Sequence, residues 1–178
     1  MNFTIRPVQE SDAAAISEML NAIIATGKYT ILEPVTPEIQ HEFIQGFPER
    51  GVFLVAERDD GKILGLQDVS PTSSWSNAMR HLGDIATFIA MDAQGQGVGR
   101  ALAHATFAAA RAKGFEKLIA MIRVDNPRAI GFYVAQGFKI VGTMRRHAIV
   151  NGQYIDEMIT EKMLENPVPP SVPPSVLP

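Results

Sequence analysis

Three glycines at intervals of two lie in the middle of the chain, in the run QGQGVG at residues 94–99. An apolar stretch typical of a strand precedes this run, and an Ala-rich stretch typical of a helix follows it. Glycine lets a backbone approach a ligand closely, and the first N–H groups of a helix have no intrahelical partner and attract anions. The run therefore predicts either a phosphate site or a tight strand-to-helix turn without a ligand.

The spacing of the run excludes two common phosphate-binding motifs. A Walker loop needs Gly-Lys-Ser/Thr, whereas Gly99 is followed by Arg100 and Ala101. A dinucleotide fingerprint needs G-x-G-x-x-G, and these glycines are two residues apart throughout. The run therefore belongs to neither motif.

Two polar side chains stand in apolar surroundings and are candidates for proton transfer. Asp84 interrupts an apolar strand pattern over residues 82–91, where partial burial would raise the pKa of its carboxyl. Tyr133 shares a helix face with Ile130 and Val134 because their spacing is three and four, so its phenol should turn inward. Asp84 alternatively lies at an exposed edge or caps a helix, and Tyr133 is alternatively a core residue whose hydroxyl bonds to a neighbour.

These residues must be positioned by a mixed α/β sheet covered by helices. Apolar periodicity, turn residues and helix caps predict the order strand, two helices, three strands, helix, strand, helix, two strands. Ser11 and Thr36 are expected to cap the first two helices, and Asn151-Gly152 is expected to join the last two strands as a hairpin. The strand-helix-strand unit over residues 82–124 should be parallel and right-handed.

Composition and charge narrow the class of protein. The 178 residues suit one globular domain, and the net charge of −3 argues against a nucleic-acid partner. The absence of cysteine, of a signal-peptide pattern and of an apolar run long enough for a membrane span predicts a cytoplasmic protein without membrane contact. Scattered histidines and no cysteine also predict that there is no metal site.

The chain divides into an expected domain over residues 1–165 and a Pro-rich tail over residues 166–178. The tail holds half of the prolines of the chain and repeats the quartet Val-Pro-Pro-Ser. Proline fixes φ and donates no backbone hydrogen bond, so the tail should be extended or disordered. It is either a variable tail or a ligand for a Pro-recognising module.

Two motifs at a matching separation resemble those of the GCN5-related N-acetyltransferases. The pattern Gln94-x-x-Gly97-x-Gly99 is similar to the acetyl-CoA pyrophosphate loop of that family, and VDNPRAIGFYVAQGF at residues 124–138 resembles its V-x-N-x-x-A-x-x-x-Y…G-F segment. Residues 142–157 resemble the closing strands of members that acetylate amino acids or N-terminal amines. The resemblance implies a mixed, mostly antiparallel sheet of six to seven strands with helices on both faces, splayed between its fourth and fifth strands, with acetyl-CoA in the gap.

The resemblance also implies roles for the residues around this gap. Backbone groups of Phe88, Ile89 and Ala90 would bind the pantetheine arm of the cofactor. Asn126 would contact the cofactor, Arg128 would lie near its phosphates and Tyr133 would lie beside its sulfur. Many members have proline where this chain has Met91, a departure that main-chain contacts should tolerate. The pyrophosphate would be held by backbone N–H groups of Gln94, Gly95, Gln96, Gly97, Val98, Gly99 and Arg100.

Acetyl transfer to an amine requires two proton movements, and the sequence offers a candidate for each. An alkylamine with a pKa of about 10 is only about 0.1% neutral at pH 7, so some group must remove a proton. Asp84 lies ten residues before Gln94, where many family members carry Glu, and it would act directly, through water, or by binding the substrate ammonium. Tyr133 would donate to the departing sulfur. Because the chain has no cysteine, we expect direct transfer in a ternary complex.

Acceptor contacts are expected from two regions of the chain. Lys28, Tyr29 and Glu33 lie where the acceptor loop of the family usually falls, and Arg145 and Tyr154 would meet an anionic acceptor or are ordinary strand-surface residues. We predict an N-acetyltransferase acting on a primary amine of a small molecule, an amino acid or analogue. The alternatives are a protein N-terminal α-amine acetyltransferase and a non-catalytic acyl-CoA-binding or sensory module. The long C-terminal strands also offer an edge for a homodimer.

Overall fold

The computed structural model describes residues 2–164, so the predicted Pro-rich tail at 166–178 lies outside the described residues. Within them, strands and α-helices follow the predicted order. None of the helices in this part of the chain combines the length and apolar character needed to cross a membrane. The strands are β1 (Phe3–Pro7), β2 (Val52–Arg58), β3 (Ile63–Pro71), β4 (Leu82–Ile89), β5 (Lys117–Arg123), β6 (Lys139–Val150) and β7 (Gln153–Met163). The helices are α1 (Ala13–Ile24), α2 (Pro37–Gln45), α3 (Val98–Ala112) and α4 (Pro127–Ala135).

The seven strands described above form one sheet in the order β1-β2-β3-β4-β5-β7-β6. Neighbouring strands are antiparallel except for β4 and β5, which are parallel and joined through α3. The pairing of β4 with β5 runs from Leu82 opposite Lys117 to Asp84 opposite Ile119, and the two strands diverge beyond it. The predicted mixed, mostly antiparallel sheet, splayed between its fourth and fifth strands, is therefore confirmed.

The last two strands form the predicted hairpin. Asn151 and Gly152 join them with φ values of 50° and 75°, the combination that a tight two-residue hairpin turn requires. β7 lies between β5 and β6, and it pairs with β5 from Lys117 opposite Met163 to Arg123 opposite Glu157. β6 is consequently an edge strand of the sheet, and a homodimer formed through this edge stays a prediction.

Helix α3 is fixed against the sheet by one apolar stripe. Val98 and Leu102 belong to one apolar cluster of the core, and Ala103 and Phe107 belong to the other. At about 100° per residue these four side chains span about half of the helix circumference, and burying a side chain such as that of Leu102 contributes about 1.5–3 kcal/mol. The stripe holds the N-terminus of α3 just beyond the end of β4, beside the splay of the sheet.

The helix starts agree with the sequence analysis with one exception. Thr36 caps α2, because its hydroxyl oxygen accepts a hydrogen bond from the N–H three residues later at 3.3 Å. The expectation that Ser11 caps the first helix is wrong, since a 3₁₀ turn covers Glu10–Asp12 and α1 starts after it. Asp12 accepts two hydrogen bonds from Arg6, at 2.7 and 2.8 Å, and these fix the turn against β1.

Candidate active site

The divergence of β4 and β5 opens a cavity of about 650 Å³. Its walls come from these two strands, from the segment between α1 and α2, and from the N-terminal ends of α3 and α4. The loops after two parallel strands meet at the same edge of a sheet, which is where open α/β sheets bind ligands. The sequence-predicted residues that line the cavity are Tyr29, Asp84, Phe88, Ile89, Gln94, Gly95, Gly97, Val98, Gly99, Arg100, Asn126, Arg128 and Tyr133.

The glycine loop leaves open space in front of its backbone. Gly95 and Gly97 have φ values of +78° and +85°, which favour glycine, and a Cβ on either would meet no atom within 4 Å. The first hydrogen bond of α3 runs from the N–H of Ala101 to the carbonyl of Gly97 at 3.0 Å. The N–H groups of residues 98–100 therefore have no carbonyl within the helix to bond. This loop fits the predicted pyrophosphate of acetyl-CoA, an anion held by backbone N–H groups.

Two arginines lie at the mouth of the same loop. Arg128 at the start of α4 donates to the side-chain oxygen of Gln94, which ties α4 to the loop. α3 starts at Val98, and the side chain of Arg100 is exposed within its first turn. Gln96 differs from its neighbours, since its exposed side chain donates to the carbonyl of Asp92 at 2.6 Å and does not line the cavity. The predicted role of Gln96, a hydrogen bond from its backbone N–H to the pyrophosphate, does not involve this side chain.

The backbone of β4 is available to a ligand for only part of the predicted stretch. Phe88 and Ile89 pair with β3 on one side, and their other side faces the splay. Ala90 differs, because its N–H donates to Leu64 and its carbonyl accepts from Ala93, both at 2.9 Å. The N–H of Ala90 is therefore already paired, and only a second lone pair of its carbonyl is left to contact the pantetheine arm, so the role of Ala90 stays a prediction.

Asn126 and Arg123 fix the segment between α1 and α2 over the cavity. The side-chain oxygen of Asn126 accepts from Ala129 N–H at 3.1 Å and caps α4, while its amide donates to the carbonyl of Tyr29 at 3.3 Å. The guanidinium of Arg123 donates to the carbonyls of Gly27 and Thr30 at 3.0 and 2.9 Å. Both side chains are buried, so they hold Tyr29 and its neighbours at the cavity wall.

Tyr133 lies inside the molecule with its hydroxyl at the splay. Its hydroxyl oxygen is 2.8 Å from the hydroxyl oxygen of Thr87 on β4, and Thr87 accepts a hydrogen bond from the amide of Gln67 at 2.8 Å. With Gln67 as donor, the Thr87 proton is free to point at Tyr133, which leaves the Tyr133 proton for a third group. Burial raises the pKa of Tyr133 above its ordinary value, although the bond to Thr87 opposes this, and the charge of Asp68 raises it further. The phenol therefore stays protonated and acts as a hydrogen-bond donor.

Two carboxylates face the cavity from the opposite side of the sheet. Asp68 lies opposite Ala86 and Asp84 lies opposite Ser70, so both side chains point to one face of the β3–β4 pair. Burial raises the pKa of Asp68 to about 7. Burial also raises the pKa of Asp84, while a hydrogen bond from the hydroxyl of Thr72 at 2.9 Å lowers it. Asp68 and Asp84 both line the cavity.

Four of the predicted acceptor residues lie outside the cavity. Lys28 and Glu33 are exposed on the segment between α1 and α2, where only Tyr29 of the predicted trio lines the wall. Arg145 is exposed on β6 and Tyr154 is 55% exposed on β7. The pairing of β6 with β7 shifts register between Met144 and Ala148, so the stretch that holds Arg145 is not part of the regular ladder. These positions agree with the alternative that Arg145 and Tyr154 are ordinary strand-surface residues.

The polar residues of the cavity wall that sequence reasoning missed include Asp68, Thr87 and Glu157. Asp68 carried a usable signal, because it interrupts an apolar strand in the same way as Asp84. Thr87 gave no signal, since threonine is common in strands. Glu157 lies in a strand with mixed polar and apolar residues, where a buried charge cannot be told from an exposed one by alternation.

The comparison with protein families identifies the class of this fold and site. A sequence profile described as "Acetyltransferase (GNAT) domain" matches residues 5–159. The chain therefore belongs to the GCN5-related N-acetyltransferase family, as its motifs implied, and it is an N-acetyltransferase.

Two similar proteins are both phosphinothricin N-acetyltransferases. The protein of Streptomyces viridochromogenes is 26% identical over 167 residues, which cover 93% of this chain and 90% of its own. The protein of Alcaligenes faecalis is 30% identical over 164 residues, which cover 90% of this chain and 82% of its own. A crystal structure of a GNAT superfamily phosphinothricin acetyltransferase from Sinorhizobium meliloti in complex with acetyl-CoA has a TM-score of 0.83 at 24% identity, covering 92% of this chain and 89% of that one. This last likeness shows the shared fold.

Proposed function

We propose that this enzyme transfers the acetyl group of acetyl-CoA directly to the primary amine of a small acceptor, an amino acid or an analogue of one. The observation that supports this most is that three features lie in one cavity: the glycine loop around Gly97, whose open backbone forms an anion-binding cradle, a buried phenol at Tyr133, and carboxylates at Asp68 and Asp84. The similarity to phosphinothricin acetyltransferases favours an amino-acid-like acceptor.

The carboxylates supply the base. An acceptor amine arrives as an ammonium ion and must lose a proton before its nitrogen can attack the thioester carbonyl. A base works best when its pKa lies near the operating pH, and burial raises the pKa of Asp68 to about 7. We therefore assign proton removal to Asp68 and ammonium binding to Asp84, the residue that the sequence first suggested as base. Either carboxylate has room to act through a water molecule.

Tyr133 supplies the hydrogen bond to the sulfur. As the amine nitrogen forms its bond to the carbonyl carbon, the C–S bond breaks and the electron pair leaves on sulfur. A thiolate has a parent pKa near 8.5, below that of the buried phenol, so Tyr133 stabilises the developing charge by donating a hydrogen bond. The first ammonium proton, which the carboxylate accepted, leaves to solvent. After the attack the nitrogen loses a second proton and the thiolate gains one, so the products are an N-acetyl acceptor, CoA thiol and one proton released to solvent.

A panel of amines tests this function. We would measure thiol release from acetyl-CoA with neutral L-amino acids, basic L-amino acids, phosphinothricin, alkyl monoamines and short peptides. The chain contributes no thiol of its own because it has no cysteine. We expect saturable release with at least one amino-acid-like amine, and Tyr133→Phe should lower kcat while leaving the Kd for acetyl-CoA within about twofold. Release with peptides alone would favour the alternative of N-terminal protein acetylation.

A further inference from the structure

Glu157 is a buried carboxylate without a hydrogen-bond partner at one of its oxygens. Only 4% of the residue is exposed, and Oε2 bonds to no group among residues 2–164. Nε2 of His147 on β6 lies 3.7 Å from this oxygen, which is close enough for an ion-pair contact when the imidazole is protonated but too far for a hydrogen bond. A buried carboxylate is unfavourable unless it is paired, and Glu157 lines the same cavity as Tyr133 and Asp84.

Arg123 lies opposite Glu157 on the neighbouring strand, but its donors point elsewhere. Two of its nitrogens donate to Asp125 at 2.9 and 2.7 Å, and the third donates to the carbonyls of Gly27 and Thr30. The guanidinium thus holds the segment between α1 and α2 in place. Arg123 therefore interacts with Glu157 through its charge but donates no hydrogen bond to it, and Oε2 of Glu157 keeps its hydrogen-bonding capacity for a group in the cavity.

The sheet register places Glu157 far from the other carboxylates of the cavity. Asp84 lies opposite Ile119, and Arg123, opposite Glu157, comes four residues later on β5. At about 3.3 Å per residue along a strand and about 4.8 Å between strands, the backbones of Asp84 and Glu157 are about 16 Å apart even without the splay. Even with both side chains leaning fully toward each other, the carboxylates stay about 10 Å or more apart, so a single ammonium, which sits about 3 Å from each oxygen it contacts, cannot bridge them.

We propose that the acceptor carries two cationic groups: the amine to be acetylated lies beside Asp68 and Asp84, and a second ammonium binds Glu157. The ligand class is a basic amino acid or a comparable diamine, whose two nitrogens are separated by a flexible chain of several carbons. This inference rests on the proposed function for the position of the reacting amine. Glu157 is then a specificity residue on the far side of the cavity from the chemistry.

A pair of acceptors that differ in one group tests the inference. L-lysine and L-norleucine have side chains with the same four carbons, and only lysine carries a second ammonium at the end. We expect kcat/KM to be about tenfold or more higher for lysine with the wild type, and the ratio to fall toward one in Glu157→Gln, which keeps the size of the side chain. Asp156→Asn is the matched control, because Asp156 accepts a hydrogen bond from Arg146 N–H at 2.7 Å and does not line the cavity. Its ratio should match that of the wild type. Equal ratios in the wild type and Glu157→Gln overturn the inference.

A binding measurement separates this inference from the proposed function. If neither acceptor releases thiol, the proposed acetylation of amino-acid-like amines fails, and calorimetric titration of lysine and norleucine without acetyl-CoA still tests Glu157. Tighter binding of lysine to the wild type that disappears in Glu157→Gln supports the second cation site. Equal binding of the two amino acids, or a preference that Glu157→Gln retains, overturns it. Thermal unfolding of each variant confirms that the titrated protein is folded.

Discussion

Replacing Gly97 with alanine tests the anion cradle with a control that the chain itself provides. Gly97 has a φ of +85°, and Gly61 in the turn between β2 and β3 has a φ of +86°. A Cβ at either position would meet no atom within 4 Å, so neither substitution causes a clash inside the protein. Only Gly97 lines the cavity. The two variants therefore share the same backbone strain and differ in what lies in front of the new methyl group.

The magnitude follows from this geometry. The left-handed conformation costs an L-residue about 1–2 kcal/mol, and the restriction of the unfolded chain offsets about 0.4–1 kcal/mol of this. We expect each variant to lose about 1 kcal/mol of unfolding free energy and about 2–4 °C of Tm. Gly97→Ala should also raise the Kd for acetyl-CoA by about tenfold or more, which corresponds to about 1.4 kcal/mol, because the methyl group occupies the space of the pyrophosphate. Gly61→Ala should bind acetyl-CoA as the wild type does.

Calorimetric titration with acetyl-CoA and thermal unfolding of the same samples provide both numbers. The account predicts two equally destabilised proteins, of which one binds the cofactor weakly. If Gly97→Ala is folded and binds acetyl-CoA with the wild-type Kd, the loop does not hold the pyrophosphate. If both variants lose affinity equally, the loss comes from general destabilisation and the reasoning about the cradle is refuted.

Three further perturbations address the interior of the site. Thr87→Val should lower kcat by about tenfold and Thr87→Ser should retain it, because the hydroxyl of residue 87 orients the Tyr133 proton. If Thr87→Val has the same effect in the wild type and in Tyr133→Phe, the two residues do not act together. Asp68→Asn should remove the rise of kcat/KM with pH near 7, since the carboxyl accepts a proton only when it is ionised, and a retained rise would move the base elsewhere. Because the folded-state pKa of Asp68 is raised from 3.8 to about 7, the contribution of Asp68 to stability falls between about pH 4 and pH 7. The unfolding free energy of Asp68→Asn relative to the wild type should therefore be higher at pH 8 than at pH 4, by up to about 4 kcal/mol, and no change in this difference would contradict the burial of Asp68. Arg123→Met should cost about 2–4 kcal/mol of unfolding free energy, because the carbonyls of Gly27 and Thr30 lose their hydrogen-bond donor. It should also raise the KM of the acceptor more than the KM of acetyl-CoA. Equal changes in the two KM values would argue that Arg123 does not position the segment between α1 and α2.

Local signals predicted the scaffold and the backbone geometry of the glycine loop well. The glycines of the loop, the Asn126-Pro127 helix start and the Asn151-Gly152 turn each specify backbone geometry within a few residues, and the structure contains all three. The splay between β4 and β5 came from the resemblance, because the extent of a strand pairing is a tertiary property. Tyr133 was found by helix periodicity together with the family motif.

The acceptor side of the site depends on contacts between distant strands, which explains the errors there. Asp68 becomes important through its position opposite Ala86, and Glu157 through its position opposite Arg123, and neither register can be read from one strand. The exposure of Arg145 likewise depends on its place in the hairpin, where the pairing of β6 with β7 shifts register between Met144 and Ala148.

The most direct test of the central claim is the stoichiometry of the reaction in the presence of an amino-acid acceptor. CoA thiol and N-acetylated acceptor would be quantified together, by a thiol reagent and by mass spectrometry, for the wild type and Tyr133→Phe. The account predicts one N-acetyl product for each thiol released by the wild type and a large loss of both with Tyr133→Phe. Thiol release without an acetylated amine, or undiminished turnover by Tyr133→Phe, would contradict direct transfer at this cavity.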